Sequence, residues 1–415
     1  MLITRIIQII IIALPSVLFG WLLVQEIVPS GVFVVNHSVE QPSPFIDQIL
    51  PEQRVLGLQQ DQDGDWVKTI IGDPAFFFVH PHRHFDQITT EVWFKNSGVP
   101  IVELGGLSQI EGQVYDLKPL QNLIIDQSDW FYLEDQGLTL LQRHKKYSSI
   151  KDFLEKQPDR GQIATYNYSL DQPYFLNGYQ PGLELTTTNV SLRGFHVFKT
   201  YIKDEKLSFD FEYMDMNRTE GQDPITVLVF SEAGELVASQ IATDDGNISN
   251  NAQPSTLQNL SISATNLSEG VYKIELKTTS DIFFRSFTTP QSKIVFMDNV
   301  RLADEVGYKE NPRPVSFWTE SKQLAFQTRH VEGVQMINIG TSGLDLKEPY
   351  QRFAYQIEEP GITGVLVPKG DVEVFSSGHI AFAKNQFFNP DPVRLRYNTD
   401  LDQMEVDYII ADYHQ

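Results

Sequence analysis

Residues 207–213 read LSFDFEY, which sets Leu207, Phe209, Phe211 and Tyr213 on one side of an extended chain and Ser208, Asp210 and Glu212 on the other. Strict alternation has the period of a β-strand and not of a helix, so it demands a sheet with one apolar and one polar face. VYKIELK repeats the rule, with Tyr272, Ile274 and Leu276 inward, and EVWF at 91–94, ITVLVF at 225–230, KIVFM at 293–297, DVEVF at 371–375 and MEVDYII at 404–410 extend it. Turn chemistry separates these runs at Asn96-Ser97-Gly98, Glu232-Ala233-Gly234-Glu235, Asp245-Gly246 and Ser377-Gly378,. Only two short helices compete beyond residue 32. SPFIDQILP has Ser43 as cap and Pro51 as stop, giving a helix near 44–50. SSIKDFLEKQ has a serine cap and Pro158 past its end, giving one near 149–157,. The fold class expected is all-β, a tandem β-sandwich of jelly-roll or Ig-like type.

One segment breaks the alternation. From Ile6 to Val24 the chain runs 19 residues without a charge, and as a helix these span about 28 Å, close to a hydrocarbon core of about 30 Å. Arg5 precedes the run and Glu26 follows it, so the amino terminus is expected inside,. A cleaved signal peptide is the rival, with a shorter apolar stretch and small residues at its end. The organisation expected is a cytoplasmic stub at 1–5, a single-pass transmembrane anchor at 6–25, a membrane-proximal β-sandwich at 32–185, a jelly-roll-like sandwich at 186–303 and a C-terminal β domain at 314–415. The ectodomain lies outside the cytoplasm, and membrane lipid is the first expected partner.

Composition narrows the function. A net charge of −22 and pI near 4.7 argue against nucleic acid as a partner,. The absence of cysteine excludes disulfides, thiolate catalysis and Cys-type zinc or iron–sulfur sites,. The chain contains no GxSxG elbow, no GxxxxGK loop and no GxGxxG fingerprint, and Ser148-to-Lys151 is an SxxK match explained by helix capping,. An enzyme is therefore not the leading expectation.

Residues 190–302 resemble the jelly-roll carbohydrate-binding modules and galactose-binding-like domains. LSFDFEY is followed by DMNRTEGQD, then by the hairpin ITVLVFSEAGELVA and a closing strand KIVFMDNVRL, in which Asp298, Asn299, Val300 and Leu302 fill a pattern common in those modules. The resemblance implies a two-sheet sandwich and a glycan ligand. It carries over no binding residue.

Three kinds of site suggest themselves. His80, His82 and His84 alternate in FFFVHPHRHF, but same-face residues in a strand stand about 6.6 Å apart, so a polar loop is the simpler reading. Acidic turns suit a hard cation better. Asp61, Asp63 and Asp65 surround Gly64 in DQDGDW; Asp215, Asn217 and Asp223 surround Gly221 in DMNRTEGQD; and TDDGN adds Asp244 and Asp245. Carboxylate and amide oxygens in tight loops are what calcium takes, although such residues also simply make turns. Trp66, Trp93, Trp130 and Trp318 would serve as a sugar-stacking platform or as core. Seven Asn-x-Ser/Thr triplets begin at Asn36, Asn167, Asn189, Asn217, Asn247, Asn259 and Asn266. The function expected is a membrane-anchored surface protein acting in binding or assembly toward a glycan, envelope or protein ligand. The alternative is an anchored polysaccharide hydrolase with an appended carbohydrate-binding module. The C-terminal MEVDYIIADYHQ reads as a strand running almost to the last residue, so truncation from Met404 is expected to destabilise the final domain.

Overall fold

The structure is a computed structural model of the 415-residue chain, and it describes residues 13–21, 31–96, 98–109, 114–247, 249–250, 253–303, 313–359, 361–396 and 406–413. Residues 13–21 form a helix, α1. The stub at 1–5 and the rest of the 6–25 anchor lie outside the described residues. Among the described residues no helix is long and apolar enough to cross a membrane.

The chain divides into two compact units, Met1–Asn96 and Ser97–Gln415. That boundary falls inside the 32–185 segment expected from sequence. In the first unit the helix expected near 44–50 is absent. Ile46 and Leu50 instead bridge Val79 and Phe76, and Val55 bridges Ile70. Gln59–Gln60 pairs with Trp66–Val67. The result is an irregular two-stranded ribbon closed by the DQDGDW turn, in which pairing across the ribbon has displaced a helix too short to hold itself together. EVWF at 91–94 is not a strand either. Alternation without a neighbouring strand satisfies no backbone group, and Trp93 stands 90% exposed,.

The second unit holds the layered body. A hairpin, Ile101–Gln109 with Val114–Asn122, leads into a five-stranded sheet with spatial order Val393–Arg394, Ile163–Tyr166, Tyr408–Asp412, Leu138–Gln142 and Phe131–Asp135. Helix α2 (Leu123–Asp126) is capped by the Asn122 side chain, and α3 (Ile150–Glu155) by Ser149, whose Oγ accepts from the Asp152 N–H. Ile150 and Phe153 of α3 are buried against Leu140, Ile163 and Ile410 of the sheet.

A ten-stranded sheet runs through the next two expected domains. Its first half is Leu236–Ala242, Ile225–Phe230, Gly270–Lys277, His196–Ile202 and Ile294–Phe296. Its second half is Ile380–Ala381, Val315–Thr319, Thr363–Val367, Gln335–Ile339 and Ser342–Leu346. Behind the first half lies a sheet built on Gln258–Ala264, Leu207–Asp215, Ile282–Thr289 and Thr186–Thr188, and behind the second one built on Asn299–Arg301, Val372–Ser376, Gln323–Thr328 and Phe353–Gln356. Two β-sandwiches thus stand side by side on a shared front sheet. One hydrophobic core, from Val190 through Phe198, Phe209 and Phe296 to Phe317, Phe326 and Ile380, fills both. KIVFMDNVRL makes the handover: Ile294–Phe296 closes the first half of the large sheet, Asp298 turns with φ 59°, and Asn299–Arg301 pairs with Val372–Ser376 behind the second.

The halves of the large sheet meet through one residue pair, Phe296 with Ile380. Charged side chains reinforce this join. His379 Nδ1 lies 2.8 Å from Glu320 Oε1 and its Nε2 3.5 Å from Asp391 Oδ2, while Lys199 Nζ donates to both Asp391 oxygens at 2.6 Å. Burial alone would depress the imidazole, but hydrogen bonds to Asp391 and Glu320 carry its pKa up to about 9. Because the folded value exceeds the unfolded one, this stabilisation is complete below about pH 6.5 and is lost as pH rises through about 9. The shift corresponds to roughly 3 kcal/mol. Thermal melts at pH 6 and pH 9.5 are expected to differ more for the wild type than for His379→Gln; equal differences would remove His379 from the join.

Candidate functional site

Three loops meet at one end of the first sandwich. Asp215 ends the strand Leu207–Asp215, Asp223 precedes Ile225–Phe230, Asp244 and Asp245 follow Leu236–Ala242, and Asp281 precedes Ile282–Thr289. Antiparallel pairing of Asp215 with Ile282 and of Ile225 with Ala242 forces these ends together. Carboxylate oxygens of Asp215, Asp223 and Asp281 lie within 4.8 Å of one another, and so do those of Asp215, Asp244 and Asp245. The loops are ordered by their own hydrogen bonds. Asp215 Oδ1 accepts from the Asn217 N–H, Asp244 Oδ1 from the Asp223 N–H, and Asn217 Nδ2 donates to Asp245 Oδ2 and to the Gln253 carbonyl. Asn217 takes a left-handed backbone, φ 48°, to make this turn.

Two oxygens in this pocket have no partner among the described residues. Asp215 Oδ2 and Asn217 Oδ1 are both buried, on residues only 2% exposed, and accept no hydrogen bond. Orphaned buried acceptors cost about 1–3 kcal/mol each, more when charged. Burial, together with the nearby Asp223, Asp245 and Asp281 carboxylates, pushes the Asp215 pKa up to about 6. Burial also raises Asp223. Asp281 moves the other way: burial would raise it, but the Thr219 hydroxyl and the Thr219 and Arg218 backbone N–H groups hold it low, and the Arg218 guanidinium stands at 3.4 Å. Acceptor-only oxygens at this spacing fit a hard cation whose ligands lie 2.3–2.6 Å away.

The other sequence candidates separate. Lys95 Nζ sits among Asp61, Asp63 and Asp65 at 2.5, 2.7 and 3.2 Å, so an ammonium occupies the place a metal would take. That ammonium holds the Asp61 carboxyl below its ordinary range. The three histidines turn to three partners: His80 to Asp47, His82 to the Pro44 carbonyl, His84 toward Asp86. Trp66 and Trp93 are exposed in the first unit, Trp130 lies under the Arg143 guanidinium, and Trp318 is half-buried in the large sheet. Asn217 is buried in the acidic pocket and cannot accept a glycan, whereas none of the other six triplet asparagines is buried. Sequence reasoning named Asp215, Asn217, Asp223, Asp244 and Asp245, but it missed Asp281. The signal was modest: a lone aspartate after Thr-Thr-Ser at the start of a strand.

No family model matches the chain, and no curated protein matches it. Among solved structures it is similar to dimeric latent PorU from Porphyromonas gingivalis, at 11% identity over 51% of this chain with a TM-score of 0.17. The match spans 19% of that longer chain, and at this TM-score it carries no argument about fold or activity.

Proposed function

We propose that the chain is an extracytoplasmic surface protein, held to a membrane by its N-terminal apolar segment, that acts in binding or assembly toward a glycan or envelope-protein ligand, with calcium fixing the loops at one end of its first sandwich. The observation that carries the calcium reading is the pair of orphaned buried oxygens, Asp215 Oδ2 and Asn217 Oδ1, inside a ring of further carboxylates. Helix α1 supports the tether, because Leu14, Val17, Leu18, Phe19 and Trp21 are all exposed on it. The acidic body supports a site outside the cytoplasm, where calcium is abundant enough for weak modules with Kd near 10⁻⁴–10⁻³ M.

Two measurements test this reading. Calcium at a hundredfold excess over Kd adds about 2.7 kcal/mol to the folded state, so the melting temperature of the full chain in detergent should rise with calcium and fall with chelator. Asp215→Asn should abolish that response while leaving the chelated protein as stable as wild type or more so, since the substitution relieves buried repulsion. The response should also fade below about pH 6, where protons occupy Asp215. A melt indifferent to calcium at pH 7.5 would refute the cation reading. A glycan array probed with the full chain, with and without calcium, tests the ligand class, and uniform failure to bind would remove glycans from it.

A further inference from the structure

The acidic pocket is larger than one ion needs. Its carboxylates form two triads that share a single member: a wholly buried inner triad of Asp215, Asp223 and Asp281, and an outer triad of Asp215, Asp244 and Asp245. Each spans at most 4.8 Å between ligand atoms, about the diameter of a calcium coordination sphere with bonds of about 2.3–2.6 Å. Asp215 has two oxygens to divide between them. Oδ1 is held by the Asn217 N–H, which fixes the plane of the carboxylate, and Oδ2 has no partner.

Charge points the same way. Five carboxylates face one another with the Arg218 guanidinium, on Asp281, as the cation paired with them. Four negative charges remain. A single divalent ion on the buried inner triad would leave the charges of Asp244, half-buried, and Asp245, exposed, facing one another beside it with only partial screening by water,. Two divalent ions neutralise the set. The hydrogen bonds divide the ligands accordingly. The Thr219 hydroxyl and N–H and the Arg218 N–H all donate to Asp281 Oδ2, and its Oδ1 meets only the long 3.4 Å approach of Arg218 Nε among these groups, so an inner ion would share Oδ1 with that guanidinium. On the outer side, Asp244 Oδ2 accepts from the Gly246 N–H and Asp245 Oδ1 from the Asn247 N–H, which aims the loop Asp244-Asp245-Gly246 back at the pocket.

The geometry points to a two-calcium site in which Asp215 bridges an inner ion held with Asp223 and Asp281 and an outer ion held with Asp244 and Asp245, with Asn217 Oδ1 as an added ligand. This inference rests on the calcium reading above and extends it from one ion to a bridged pair. The pair would tie together the ends of four strands drawn from both sheets of the sandwich.

The test is a count. The full chain in detergent is stripped with chelating resin, re-equilibrated with calcium alone, and measured by elemental analysis per mole of protein and by titration calorimetry. Two ions per chain are expected for wild type, one for Asp223→Asn, one for Asp244→Asn/Asp245→Asn, and none for Asp215→Asn, because the bridge serves both. Asp61→Asn/Asp63→Asn should leave the count at two, since Lys95 already occupies that turn. One ion in wild type overturns the pair while leaving the calcium reading intact, and no ion overturns both. An Asp215→Asn protein that keeps one ion, with an unchanged circular-dichroism spectrum, overturns the bridge.

Discussion

Replacing Phe198 by alanine is expected to lower the stability of the sandwich body by about 3–5 kcal/mol, the range for removing a large aromatic from a packed core. Phe198 lies on the interior strand His196–Ile202 and is 1% exposed. Its ring meets Phe296 at 5.0 Å and Phe209 at 5.2 Å, with Phe211 and Phe287 at 6.4 and 6.5 Å. Because Phe296 is also the residue that pairs with Ile380 across the join, a cavity beside it weakens both halves of the large sheet,. The core is continuous, so denaturant unfolding followed by tryptophan fluorescence and by circular dichroism should show Phe198→Ala moving a shared transition to lower denaturant with little change in slope,. Phe198→Leu, which keeps most of the volume, should cost less than half as much. A loss below 1 kcal/mol for the alanine variant, or two separate transitions for residues 186–381, would contradict a single core.

Much of this body is legible in the chain, for a reason that also sets the limit. Alternation reports which face of a strand is buried: LSFDFEYMD is buried at Leu207, Phe209, Phe211, Tyr213 and Asp215 and open between them, and ITVLVF alternates in the same way. The pattern is silent on the partner. Nothing in KIVFMDNVRL announces that its two short strands belong to different sheets, because the switch needs only one residue, Asp298, in a left-handed conformation. EVWF alternates as well as ITVLVF does, yet finds no neighbour. The acidic turns show the same division. DMNRTEGQD and TDDGN are visible as oxygen-rich loops. Whether a loop faces other carboxylates, as Asp215 does, or a lysine 30 residues downstream, as Asp65 does, depends on tertiary pairing that local composition does not encode.

Ending the chain before Met404 is the second large effect, and it should fall far from where the sequence places it. The alternation in MEVDYII suggests a strand packed in a sheet of a separate final domain. Tyr408–Asp412 instead lies in the middle of the five-stranded sheet, antiparallel to Leu138–Gln142 on one side and parallel to Ile163–Tyr166 on the other. The deletion removes buried Val406, Tyr408, Ile409, Ile410, Ala411 and Tyr413. At about 1.5–3 kcal/mol for each large side chain, the loss rivals the whole stability of an ordinary domain, about 5–15 kcal/mol. It also removes three hydrogen bonds of Tyr413: its hydroxyl accepts from the Asn122 N–H and donates to Asp126, and its carbonyl accepts from the Thr139 hydroxyl. What remains are two separate strand pairs, and a two-stranded sheet is marginal in water. Residues 131–166 should therefore become protease-labile and exchange their amide hydrogens rapidly, while the sandwiches over 186–381, which have their own core, keep their protection,. Hydrogen exchange read by mass spectrometry on the full chain, on the truncation at Met404 and on a control lacking only His414 and Gln415 distinguishes the cases. Retained protection across 138–142 and 163–166 in the Met404 truncation would mean that the last strand is an ornament on this sheet rather than its centre.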